Sequence, residues 1–348
     1  MLKKKNVKNV KPALLAAGVA MLAGPVLADD TYHWRLQTWT WPALEQHQYV
    51  LEFAERIEEM TNGQLTIEVF DRDAIVPHWE SPESVGQGMF EATMEWPGAN
   101  AGNDVGFNIF APPPMSFDEG WQLTSWFHDH GALELMQQAY SEKMNLHIAG
   151  VTFWQAESLH STTPIHSIDD LEGLSVRTPR GITSEWFRAV GASPVVLPPG
   201  EVYSSLDRGV VDAAEFLTPS AHLSLDYHRV SDYMVWPSPH QMLATIYLAV
   251  NEDVWDELPN HLQKTVEAAM SEFAHAHAYR PYINDLKSLE TYREAGNEII
   301  TWSPEEWDRA RKVSKDLWRS YIDRSEIAAE AVESMEDFMQ LLGILEED

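Results

Sequence analysis

The chemistry legible in this chain concentrates between Ile168 and Phe216. Arg177 ends a short predicted strand, Leu174–Arg177, immediately before Thr178-Pro179. An arginine at a strand end can aim its guanidinium into a crevice, where its fork matches a carboxylate through two parallel hydrogen bonds. Two readings stand side by side. Arg177 is either an anion-binding group or the partner of one of the many nearby carboxylates.

Other reactive side chains make weaker patterns. His128-Asp129-His130 and His275-Ala276-His277 have spacings that could ligate zinc. Residues two apart on a helix do not share a face, however, and solvated or capping histidines are the plainer reading. No His-Glu-x-x-His or G-x-S-x-G pattern is present, and Gly86-Gln87-Gly88 lacks the third glycine and flanking strand of a dinucleotide fingerprint. Ser204-Ser205 falls inside a predicted helix after Glu201. The absence of cysteine removes thiolate metal sites and thiol nucleophiles, and 54 acids leave no carboxylate pair to single out.

These groups must be positioned by a chain that begins with an export signal. Lys3, Lys4, Lys5, Lys8 and Lys11 form a basic region, Ala13–Leu22 an apolar one, and Val26-Leu27-Ala28 supplies small residues before a cleavage point. Residues 1–28 are therefore expected to be a signal peptide, with Asp29 as the first mature residue. No other segment is long and apolar enough to cross a bilayer. The signal holds five of the 24 basic residues and none of the 54 acids, so the mature chain has 19 basic against 54 acidic residues, a net charge of −35. That argues against nucleic acid or an anionic membrane surface as a partner. With no disulfide, the roughly 320 mature residues must be held by a sizeable core. Of 14 tryptophans, Trp39, Trp41, Trp79 and Trp96 sit in predicted loops, where an aromatic could wall a pocket or pack into the core.

Alternation predicts a strand at Tyr32–Thr38, then a helix carrying Val50, Phe53, Ala54, Ile57 and Met60, and a strand at Leu65–Phe70. This β-α-β unit places ligands at the carboxyl ends of its strands, beside the Trp39–Trp41 loop. Further strands are expected at Glu91–Trp96, Leu146–Thr152, His240–Val250 and Gly296–Thr301. Helices are expected at Pro82–Met89, Leu133–Lys143, Asn260–Ala295, Glu305–Tyr321 and Glu326–Leu342. The fold class is α/β, in two lobes joined by hinge strands, with the 260–295 helix bridging them. The boundaries read as lobe I at 29–152, lobe II at 153–240, and shared hinge strand and helices at 241–348.

The chain resembles the solute-binding subunits of tripartite ATP-independent periplasmic (TRAP) transporters, the DctP family. The resemblance rests on Asp170-Leu171-Glu172-Gly173-Leu174-Ser175-Val176-Arg177, on Gly191-Ala192-Ser193-Pro194 with Glu201-Val202-Tyr203-Ser204-Ser205-Leu206, on Gly209-Val210-Val211-Asp212-Ala213-Ala214-Glu215-Phe216, and on Leu248-Ala249-Val250-Asn251 leading into the long helix. It implies two α/β lobes that close over an organic anion, delivery to TRAP membrane permease subunits, a periplasmic location, and an arginine at position 177 gripping the ligand carboxylate. Such a receptor is not an enzyme and acts as a monomer or homodimer. Within the family the chain is similar to the branch that binds 2-oxo acids and lactate with a metal ion. That likeness implies a Na⁺ or Ca²⁺ site from Gln155, Glu215, Phe216 and Gln241, beside His240. Phe216 stands where that branch commonly has tryptophan. Ligand contacts are then expected from Arg177, Gln155 and Phe216, with Trp39, Trp41 and Trp96 as walls from the first lobe. A dicarboxylate, sugar acid or aromatic acid bound without metal is the alternative, and a periplasmic hydrolase the rival class.

Overall fold

The first strand of the computed structural model, β1 (Tyr32–Thr38), has the bounds that alternation predicts, with Trp34 and Leu36 buried on its inner face. The structure describes residues 30–346, so the expected signal segment lies outside the described residues. Ten strands follow among them. They are β2 (Leu65–Phe70), β3 (Ala92–Glu95), β4 (Leu146–Trp154), β5 (Leu159–Ser161), β6 (Ser175–Thr178), β7 (Ser193–Val196), β8 (Ala213–Glu215), β9 (Tyr233–Val235), β10 (Ala244–Asn251) and β11 (Glu298–Ile300).

The strands form two sheets, as the expected α/β class requires. The first has the order β2-β1-β3-β10-β4. Its β1 runs parallel to β2 and β3, while β10 is antiparallel to both β3 and β4. Every residue of β10 is buried, as befits an apolar strand covered on both faces. The second sheet has the order β11-β9-β5-β8-β6-β7. In it β6 is parallel to β7 and β8, and Arg177 lies in register with Val195 and Ala214. The chain therefore leaves the first sheet after β4 and returns to it at β10.

The two crossing segments, residues 155–158 and 236–243, run side by side. The Glu157 amide donates to the Gln241 carbonyl (3.0 Å), and the Ser238 amide donates to the Glu157 carbonyl (3.3 Å). The strand expected at His240–Val250 begins only at Ala244, where its partner Trp154 ends β4. Residues 240–243 belong to the crossing instead, after Pro237 and Pro239, which have no amide N–H to give a ladder.

The helix Asn260–Ala295 has its expected bounds and, at about 1.5 Å per residue, is about 54 Å long. Its first half buries Leu262, Val266, Met270 and Phe273 in the core of the first sheet. Its second half packs Leu289 and Tyr292 against Met234 and Trp236 of the second. Asp285, in that second half, accepts from the amide and hydroxyl of Ser220 (2.8 and 2.6 Å). Helix Glu326–Leu341 returns to the first sheet's other face, burying Val332, Met335 and Phe338.

The turn after β6 decides where Arg177 points. Gly181 precedes helix Ile182–Ala189 at φ 92°, ψ −152°, a region essentially reserved for glycine. A β-carbon there would run into the Asn108 side-chain oxygen, which accepts from the Ile182 amide (3.3 Å). Gly181→Ala is expected to lower unfolding free energy by about 1–3 kcal/mol in urea titrations, and a loss under about 0.5 kcal/mol would contradict this account of the turn.

Candidate functional site

Arg177 sits near the end of β6 and is only 3% exposed. Its Nε and Nη2 both donate to the Leu197 carbonyl (3.2 and 3.1 Å). Its Nη1 donates to the Glu215 carbonyl (2.7 Å) and to Glu215 Oε1 (3.1 Å). Four of its five N–H groups thus have acceptors within the protein. Of the two readings open at the sequence level, the ion pair is present here, and its partner is the glutamate that ends β8.

Glu215 opens onto a buried polar cluster. Its Oε2 lies 3.6 Å from His240 Nε2, which lies 3.3 Å from Glu157 Oε2. Trp154 Nε1 donates to Glu157 Oε1 (3.1 Å), and His240 Nδ1 faces the Ser238 hydroxyl (2.6 Å). Burial pushes both carboxyl groups well above the usual carboxylate range, against the pull of Arg177. Burial likewise pushes His240 down to about 4, so the imidazole is neutral. With one cation beside two buried carboxyl groups, burial favours a proton on one of the pair. The three side chains each bring a ligand atom to within 4.8 Å of the others. Such a donor set is chemically able to take a cation in place of that proton.

An aromatic pair joins this cluster to the first sheet. Phe216, the residue after β8, stacks on Trp41 with ring centroids 6.2 Å apart and planes 12° from parallel. The Arg177 guanidinium lies 5.1 Å from the Phe216 ring centre, and that of Arg72 lies 5.4 Å from the Trp41 ring centre. Trp39 instead packs into the first core, 4.8 Å from Trp154. Trp96 is half-buried, its ring over Gly98 and its amide donating to Glu95 Oε1 (2.9 Å).

The expected residues therefore divide. Arg177, Glu215, Phe216 and Trp41 come together. Gln155 begins the first crossing segment, half-buried, and its side chain makes no hydrogen bond among the described residues. Gln241 lies in the other crossing segment and is buried, its amide nitrogen donating to the carbonyls of Ala111, Pro112 and Leu243. That nitrogen braces the proline-rich loop, which leaves only its oxygen for a ligand. Glu157 and Arg72 escaped the sequence reading. Arg72 carried the same signal as Arg177, an arginine at the carboxyl end of a strand, whereas Glu157 was one acid among 54.

A family model described as bacterial extracellular solute-binding protein, family 7, matches residues 40–325. The monocarboxylate 2-oxoacid-binding periplasmic protein of a Nostoc species is 26% identical over 287 residues, covering 82% of this chain and 78% of its own. The C4-dicarboxylate-binding periplasmic protein DctP of Rhodobacter capsulatus is 26% identical over 292 residues, covering 80% and 84%. A TRAP periplasmic solute-binding protein from Rhodobacter sphaeroides, solved in an apo open form, superposes with a TM-score of 0.76 at 28% identity, covering 90% of this chain and all of that one. One from Pseudoalteromonas atlantica, solved with sodium and pyruvate, shares the fold at TM-score 0.81 and 22% identity, covering 90% and 96%. These are transport receptors of the periplasm and not enzymes. The chain belongs to bacterial extracellular solute-binding protein family 7, the solute-binding proteins of TRAP transporters.

Proposed function

We propose that this chain is exported by cleavage after Ala28, captures a small organic acid in the periplasm between its two sheets, and delivers it to a TRAP permease. A 2-oxo or 2-hydroxy carboxylate is the favoured ligand. The observation that carries this reading is Arg177, buried at the end of β6 beside Phe216, with one N–H still lacking an acceptor among the described residues. The names of the Nostoc and Rhodobacter capsulatus relatives, a 2-oxoacid binder and a dicarboxylate binder, agree with an arginine that reads a carboxylate.

The mechanism is a carboxylate exchange. Within the chain, Glu215 neutralises Arg177. An incoming ligand carboxylate takes the remaining N–H and competes for Nη1, while the Leu197 carbonyl keeps Nε and Nη2 aimed. The buried setting strengthens the new pair, because little water competes for either charge. Glu157 and His240 hold Glu215 from behind and absorb the change in its partner. Bound Na⁺ or Ca²⁺ would add a fixed positive charge for the ligand's carboxylate and 2-oxygen. Gln155, the Glu215 carboxylate, the Phe216 carbonyl and the Gln241 oxygen would hold it, a set of hard oxygen donors. Solved neighbours with calcium and picolinate, or calcium and pyruvate, give precedent within the fold.

Two measurements test this. Arg177→Lys keeps the charge but loses the fork, and by calorimetry should bind pyruvate at least about 100-fold more weakly than the parent. Retention within about tenfold would contradict the exchange. Dialysis of the mature protein against a calcium chelator in sodium-free buffer should lower pyruvate affinity, and calcium or sodium add-back should restore it. Unchanged affinity would remove the ion from the account.

A further inference from the structure

We infer that Arg72 is a second cationic ligand contact, supplied by the first sheet, and that the preferred solute carries a second anionic group for it. The inference rests on the receptor reading above and narrows its ligand class.

Arg72 lies two residues beyond the carboxyl end of β2, and its amide donates to the Thr40 carbonyl (2.8 Å), which ties it to the Trp39–Trp41 loop. Ligands of parallel strands gather at such ends. Its side chain is 11% exposed, yet its only ion pair among the described residues is a long one, 3.7 Å to Asp73, which is itself half-exposed. Its two hydrogen bonds go to neutral groups. Nη1 donates to the Trp39 carbonyl (3.4 Å), and Nη2 donates to His78 Nε2. The tautomer follows from His78 Nδ1, which donates to Glu95 Oε2 (2.8 Å) and leaves Nε2 as the acceptor. Three of the five N–H groups of Arg72 have no acceptor among the described residues.

A buried guanidinium without a close carboxylate is expensive to keep. The stacked Trp41–Phe216 pair carries a guanidinium at each of its rings, Arg72 from the first sheet and Arg177 from the second. Burial lowers the pKa of Arg72, the charges of Glu95 and Asp73 pull it back up, and the charge of Arg177 lowers it by the least of these effects. Glu215 already meets the charge of Arg177, so Arg72 is the guanidinium at this junction that lacks a close counter-charge. A dianion with one end on each guanidinium gives Arg72 a close counter-charge and fills its missing acceptors, whereas a monoacid on Arg177 alone leaves Arg72 as it is. Packing of Arg72 on Trp41 as a cation–π contact accounts for its position but not for its unused donors.

The test is calorimetry on the mature chain with pyruvate as the monoacid and malate and 2-oxoglutarate as diacids. The parent is expected to bind a diacid more tightly than pyruvate. Arg72→Gln should weaken the tighter diacid at least about thirtyfold more than it weakens pyruvate, and Arg72→Lys should recover part of that difference by restoring the charge. If Arg72→Gln unfolds, the comparison passes to Arg72→Lys, which should narrow the preference for the diacid. Equal losses for both ligand types, no loss, or a parent that prefers pyruvate would overturn the inference. Dependence on Arg177 without dependence on Arg72 would sink this inference alone, while a parent that binds none of the three acids would sink the receptor reading with it.

Discussion

A guanidinium taken almost wholly out of water must find its counter-charge inside the protein, and the geometry around Arg177 follows from that requirement. Parallel β6 and β8 put Glu215 within reach of Arg177, and β7 leads into Leu197, whose carbonyl takes two more donors. Glu215 then needs its own environment. Glu157 and His240 provide it from the two segments that pass between the sheets. The charge cluster and the crossings are thus one object. Any change in what Arg177 binds is felt first by the strands that join the two halves.

The same logic, in weaker form, holds on the other side. Arg72 ends a parallel strand of the first sheet as Arg177 ends one of the second, and each guanidinium lies against one ring of a stacked aromatic pair. The counter-charges differ. Arg177 has Glu215 at 3.1 Å, whereas Arg72 has Asp73 at 3.7 Å and is linked to Glu95 through His78. Two buried cations against one aromatic pair, only one of them closely paired, leave a counter-charge for a bound anion to supply.

Much of the fold was legible in the chain because its elements carry local signals. The alternation of Tyr32–Thr38 and the caps of Asn260–Ala295, with Pro259 before it and Gly296 after it in the left-handed region, set those boundaries without help from elsewhere. The place of β10 between β3 and β4 was not legible, since it depends on partners far away in the chain. The site divides in the same way. Arg177 and Glu215-Phe216 stand at strand ends within motifs, and an ion pair of Arg177 with some nearby carboxylate was one of the readings left open. Glu157 acquires its role only from a neighbour 83 residues distant. Gln241 was expected as a metal ligand from the resemblance, but its nitrogen is spent on carbonyls of the 111–112 loop that no sequence pattern places beside it.

The central claim is that Arg177 exchanges an internal carboxylate for that of a solute. A crystal structure of the mature protein with bound pyruvate tests it most directly. The account predicts the pyruvate carboxylate on the Arg177 guanidinium, the Leu197 contacts retained, and Glu215 Oε1 withdrawn from its 3.1 Å contact with Nη1. Pyruvate bound away from Arg177, with the Arg177–Glu215 pair unchanged, would contradict it.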